Sequence, residues 1–178
     1  MPIAYYMKFE IGHKGSKNRV GGQPTFISKK PWPKEDDEYY GFLMELWVDG
    51  VRLSIPNTIC LQIFQSIDEG DDPTPIAIPI PPNCRKREEN DKLIIHPNAR
   101  EYDIHFEPVE EPDELPKYGI ELAPYFKSKL GGLDPWERDV KGRRFLGQIH
   151  EQPLDFNFGG KVASIYEDNA GIIIVELN

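Results

Sequence analysis

The sequence is short of what a disulfide-stapled, membrane-spanning or helix-rich protein requires. Its 178 residues hold two cysteines, Cys60 and Cys84, too few for a disulfide framework and too far apart for a CxxC motif, which fits a reducing compartment and two free thiols. No apolar run approaches the roughly 18 residues that cross a bilayer, and Met1-Pro2-Ile3-Ala4-Tyr5-Tyr6-Met7-Lys8 lacks the basic-then-apolar order of a secretory leader. The expected location is the cytoplasm. Positive charge is also in deficit: 21 Lys and Arg against 30 Asp and Glu leave a net charge of −9. That field repels phosphate backbones and anionic headgroups, so neither nucleic acid nor a membrane surface is an expected partner.

Windows free of helix breakers are scarce as well. The chain carries 17 prolines and 15 glycines, and a proline inside a helix costs about 3 kcal/mol. Through most of Pro73 to Pro124 prolines fall every few residues, and between Tyr118 and Lys129, where short helical turns are expected, Pro124 still interrupts. The remaining apolar stretches are short and rich in β-branched and aromatic residues. Ile59–Phe64, Leu93–Ile95, Tyr102–Phe106, Val162–Tyr166 and Gly171–Val175 are predicted strands. Ile76-Ala77-Ile78-Pro79-Ile80 is predicted as an edge strand or an extended polyproline-like segment, because Pro79 has no N–H to give a ladder. The fold class is mainly β, or α+β with little helix.

The usual catalytic signatures are missing too. His13, His96, His105 and His150 form no HxH, HxxxH or HExxH spacing, so no local pair seeds a metal site. His13 and His96 sit in loops and are expected to be solvated, whereas His105 on a predicted strand has a structural role. The glycine pairs are not followed by Gly-Lys-Ser/Thr, and there is no GxSxG elbow. Asp68-Glu69-Gly70-Asp71-Asp72 lacks the alternating ligands of a calcium loop and reads as a solvated turn. No catalytic residue, metal site or cofactor is assigned. Cations favour thiolate, so Arg85-Lys86-Arg87 single out Cys84 as the cysteine to test for reactivity, while Cys60 reads as core.

The chain does carry an internal repeat. Arg19-Val20-Gly21-Gly22-Gln23-Pro24 resembles Lys129-Leu130-Gly131-Gly132-Leu133-Asp134-Pro135. Trp32 and Trp136 come next, then Gly41-Phe42-Leu43-Met44-Glu45-Leu46 matches Arg144-Phe145-Leu146-Gly147-Gln148-Ile149, and Ile59–Phe64 matches Val162–Tyr166. Paired glycines permit a tight turn with positive φ, proline stiffens its exit, and tryptophan covers it. The expected organisation is a single unit over 1–178, with pseudo-repeats at about 15–106 and 118–178 joined by a proline-rich acidic connection, 107–117.

In these modules the chain resembles the YwqG-like family, a bacterial domain family of unknown function. Val20-Gly21-Gly22-Gln23-Pro24, Pro31-Trp32-Pro33, Pro56–Phe64, Leu130-Gly131-Gly132 and Phe145-Leu146-Gly147-Gln148-Ile149 carry the resemblance. It implies a duplicated, mainly β architecture and supplies no activity.

Two functional readings are open. Carboxylates beside aromatics suit a basic protein partner, because rings bury area while charges steer encounter. The segments of that kind are Glu35, Asp36, Asp37, Glu38, Tyr39 and Tyr40, and the run containing Glu110, Glu111, Asp113 and Glu114. On this reading the protein is a non-catalytic binding protein, with neutralisation of a cationic toxin as its most specific form. The alternative is a small-ligand or enzyme site in a cleft between the repeats, built from Arg19, Trp32, Trp136, Arg144, Gln148 and His150, with His150 foremost.

Overall fold

The computed structural model describes residues 1–12, 15–27, 34–35, 38–67, 74–91, 93–116, 120–136 and 142–178. Its strands are β1 (Ile3–Ile11), β2 (Arg19–Val20), β3 (Phe26–Ile27), β4 (Lys34–Glu35), β5 (Glu38–Trp47), β6 (Cys60–Ser66), β7 (Ile76–Ile80), β8 (Arg85–Lys86), β9 (Tyr102–Glu110), β10 (Lys129–Gly131), β11 (Arg143–His150), β12 (Val162–Asp168) and β13 (Ile173–Leu177). A 3-10 helix, Ile120–Phe126, is the only helix among the described residues, and it contains Pro124. The main sheet runs β13-β12-β11-β10-β1-β9-β2-β5-β6-β7, with β4 beside β5, while β3 and β8 make a small second sheet. The protein is therefore mainly β, as the sequence predicts. The sheet curls until β13 lies against β7, so the barrel nearly closes.

Strand alternation sends one side of this sheet inward. Met7, Val20, Leu46, Leu61, Ile63, Ile104, Leu130, Ile149 and Ile165 fill the interior, joined by Leu154, Phe156 and Phe158 from the loop after β11. β6 is buried along its whole length because its outward face is also covered: Cys60 packs with Phe26 and Ile80, with Trp47 and Cys84 against them.

The strand order reads the same from either end. β2-β5-β6-β7 in the first half answers β10-β11-β12-β13 in the second, with β9 beside β2 and β1 beside β10. Register matches as well: Arg19 sits opposite Glu45 and Lys129 opposite Gln148. β5 and β11 each carry a bulge at the Phe-Leu step, between Phe42 and Met44 and between Phe145 and Gly147. Both glycine pairs take positive φ, 64° and 63° at Gly21 and Gly22, 65° and 73° at Gly131 and Gly132, the conformation only glycine adopts without strain. Past each bulge, a backbone N–H is caught by a side chain: Trp47 N–H donates to Asn18 Oδ1 at 2.7 Å and His150 N–H to Ser128 Oγ at 2.9 Å. Trp47 and His150 thus occupy equivalent places. Pairing is crossed between the halves, because the first strand of each, β1 or β9, bonds to the second strand of the other, β10 or β2.

Several expectations need correction. Leu93–Ile95 is not a sheet strand; it lies on the β5 bulge, with Phe42 N–H bonded to Ile94 O and His96 N–H to Phe42 O, and only Ile95 bridges Phe42. The acidic connection does not begin at 107, because β9 runs through Pro108 to Glu110. Ile104 N–H, two pairs of residues before Pro108, turns away from β1 to Asn18 O. Pro108 has the same parity, and β2 pairs with β9 only at 102 and 103, so its missing N–H removes no ladder bond. Pro79 is tolerated because β7 is the last strand of the path, bonded only to β6. The strand predicted from Gly171 begins at Ile173, since Asp168 accepts from the backbone of Ala170 and Ile172 and holds a turn there.

Candidate functional site

Both Gly-Gly turns fold over buried charge on the outer face of the sheet. In the first half Glu45 is fully buried, and its carboxylate accepts from Thr25 N–H at 3.0 Å, Gln62 Nε2 at 2.9 Å and Trp47 Nε1 at 3.1 Å. Arg19 lies 3.7 Å from it and bonds Thr25 Oγ1 at 2.7 Å. In the second half Lys129 Nζ meets Glu111 Oε1 at 2.5 Å, and neither side chain reaches solvent. Glu111 also accepts from Tyr6 Oη at 2.9 Å and from Leu133 N–H at 2.6 Å, while Lys129 donates to Leu133 O at 2.9 Å. Burial lowers the Lys129 ammonium from its usual range, opposed by the bond to Glu111. Burial first, and Glu111 second, push the Tyr6 hydroxyl well above its ordinary value. In the second half the Lys129–Glu111 pair is satisfied inside the protein, whereas in the first half Arg19 Nε is buried with no hydrogen-bond partner among the described residues. The Lys129–Glu111 pair locks the second loop over the sheet.

The open feature lies next to that lock. A groove of about 500 Å³ runs between β1 (Met7, Lys8, Phe9), the end of the 3-10 helix with the residues just after it (Ala123, Phe126, Lys127, Ser128), and the exit of β11 (His150, Gln152, Pro153). Its lining is mostly apolar. Phe126 is fixed by stacking on Trp136, ring centroids 4.8 Å apart. Gln148 fixes the backbone beneath, donating from Nε2 to Tyr125 O at 2.7 Å and Lys127 O at 2.9 Å. His150 Nδ1 accepts from Gln152 N–H at 3.1 Å, so in the neutral ring the proton sits on Nε2, which becomes a donor. Lys8 Nζ is paired with Glu107 at 2.9 Å. Lys127 is exposed and has no ion pair among the described residues.

The candidates read from the sequence scatter across this frame. Asp36, Asp37 and Trp32 lie outside the described residues, as do His13 and the acidic turn 68–72. Glu35 of β4 pairs in register with Glu38 of β5; Tyr39 is exposed, but Tyr40 is buried with Phe42 and Phe64 and is no contact residue. Glu110, Asp113 and Glu114 are exposed, with Asp113 3.4 Å from the N-terminal ammonium. Glu111 must be removed from that surface set, because it belongs to the buried pair.

The described members of the inter-repeat set do not come together in one cleft. Arg19 stays at the first turn with Glu45, the exposed Arg144 pairs with Glu167 on β12, Gln148 is buried under the 3-10 helix, and Trp136 is stacked behind Phe126. Of the set's described members only His150 lines the groove. His96 is not solvated but buried, its Nε2 3.1 Å from Ser66 O and its Nδ1 accepting from Asn98 N–H. His105 is exposed near Glu10 instead of structural. Cys60 is buried, and burial pushes its thiol well up, as expected of core; Cys84 is half-buried.

Lys8, Phe126 and Lys127 were not singled out by motif. The repeat holds a signal for one of them, since Lys127 precedes Lys129 by two residues as Lys17 precedes Arg19. No helix among the described residues is long and apolar enough to cross a membrane. No family model matches the chain and no curated protein matches it, so the likeness to the YwqG-like family rests on the quoted motifs alone.

Proposed function

We propose that the protein is a binding protein whose ligand enters the groove between β1, the 3-10 helix and the exit of β11. The observation that carries this is an apolar concavity of about 500 Å³ with one imidazole donor in its wall, within the roughly 300–1,000 Å³ typical of small-molecule sites. Binding is favoured over catalysis because the lone-pair nitrogen of His150 is already engaged by Gln152 N–H. A general base needs that lone pair free. The test is fluorescence of the neutral apolar probe N-phenylnaphthylamine with the wild type and with His150→Trp, which places in the second half the side chain that the first half has at Trp47. Enhancement in the wild type and its loss in an equally stable variant are expected. Equal enhancement in both, or none in the wild type, sinks the proposal.

A second reading, recognition of a basic protein such as a cationic toxin, draws on the exposed carboxylates Glu110, Asp113 and Glu114 close to the exposed side chains of Met1 and Ile3. Charge reversal at Glu110 and Glu114 should then slow association and do so most at low salt. A complex indifferent to both changes would rule it out.

A further inference from the structure

We propose that the occupant of the groove is a small amphiphilic carboxylate, its apolar body against Phe126, Ala123 and Pro153 and its head group between Lys127 and His150. This rests on the groove being the binding site, and adds the chemistry of what binds.

The two halves of the chain, set side by side, supply the first support. At the place of His150 the first half has Trp47, whose ring packs on Phe26 at 5.5 Å and carries Lys17 Nζ 4.7 Å above it. There the indole face and the lysine satisfy each other within the protein. In the second half the indole is replaced by the smaller imidazole. The wall stays apolar, the equivalent lysine, Lys127, keeps its position on the rim, and no described carboxylate pairs with it. The missing element is an apolar group bearing negative charge.

Charge is the second support. In a chain of net charge −9, the described lining of the groove has two lysines and a histidine and no Asp or Glu. Lys8 is already held by Glu107 at 2.9 Å, which leaves Lys127 as the cation for an incoming anion and His150 Nε2–H as a neutral donor. A carboxylate accepts from both at once. A cationic amphiphile would meet two ammonium groups and an N–H donor, and an alcohol would use only the neutral donor.

The experiment measures decanoate, decanol and decyltrimethylammonium binding to the full chain by calorimetry. The variants are Lys127→Glu, His150→Trp and, for net charge alone, Lys161→Glu at an exposed site off the groove. Decanoate should bind, with affinity lowered roughly ten- to a hundred-fold by Lys127→Glu, abolished by His150→Trp and unchanged by Lys161→Glu. Decanol should bind more weakly than decanoate, and decyltrimethylammonium should not bind. Equal affinity for decanoate and decanol, or an equal loss in both charge variants, overturns the carboxylate assignment while N-phenylnaphthylamine binding still upholds the groove. Decanoate binding that survives His150→Trp overturns the groove itself.

Discussion

Replacing Lys129 by Met tests whether the second Gly-Gly turn is held by its buried ion pair. Methionine keeps the length and apolar stem but removes the cation. Glu111 would then keep two donors, Tyr6 Oη at 2.9 Å and Leu133 N–H at 2.6 Å, but lose the ammonium at 2.5 Å, and Leu133 O would lose its donor. Both side chains are fully buried, so no water can substitute. Breaking such a pair from one side costs about 3–5 kcal/mol, against a total stability of about 5–15 kcal/mol for a domain. At about 2–4 °C per kcal/mol for a chain of this size, the melting temperature falls by roughly 6–20 °C.

The loss should trace to the carboxylate left behind. Adding Glu111→Gln, which removes the orphaned charge, should restore most of the loss. Urea unfolding followed by circular dichroism measures all three proteins. A Lys129→Met deficit under about 1 kcal/mol, or a double variant worse than the single, would refute the account.

Two further outcomes are expected. An added Cβ at Gly41 would meet the His96 backbone, 2.6 Å from Cα and 2.7 Å from N, whereas one at Gly159 would meet nothing within 4 Å and face only its φ of +68°. Gly41→Ala should therefore cost about 1–3 kcal/mol or more by overpacking and Gly159→Ala about 1–2 kcal/mol from its backbone alone, with thermal melts showing Gly41→Ala the less stable. Burial lowers the His96 pKa from its ordinary 6.5, more than the bond to Ser66 raises it. The unfolded chain then binds a proton that the folded chain refuses, so stability is full above pH 6.5 and falls as pH drops below it, until the lowered folded value is passed. His96→Gln should flatten that slope in urea titrations.

The mainly β fold was legible because proline spacing excludes helix and β-branched runs are bounded by turns, both local properties. The repeat was legible because Gly-Gly turns and Phe-Leu bulges need particular residues at particular places. β1 was not legible: Ile3–Ile11 mixes Lys8, Glu10 and two tyrosines, and the buried Tyr6 finds its hydrogen-bond partner in Glu111, from beyond β9. Glu111 looked like one of several acidic loop residues, and nothing local distinguishes it from the exposed Glu110 and Glu114. Its role depends on a lysine 18 positions away. His150 was legible as the residue after the Gln-Ile motif, but the groove was not, since its walls come from three separated segments whose types are ordinary.

The crossed pairing of β1 with β10 and of β9 with β2 means that neither half is a self-sufficient building block. Each lends its leading strand to the other, as two subunits do in an intertwined dimer whose chains have been spliced end to end. A chain cut in the exposed turn at Pro97 and Asn98, before β9, would yield one fragment with β1 unsupported by β10 and another with β9 unsupported by β2. Mixed, the fragments have every ladder they need to reassemble; alone, each exposes a vacant strand position to whatever chain comes first.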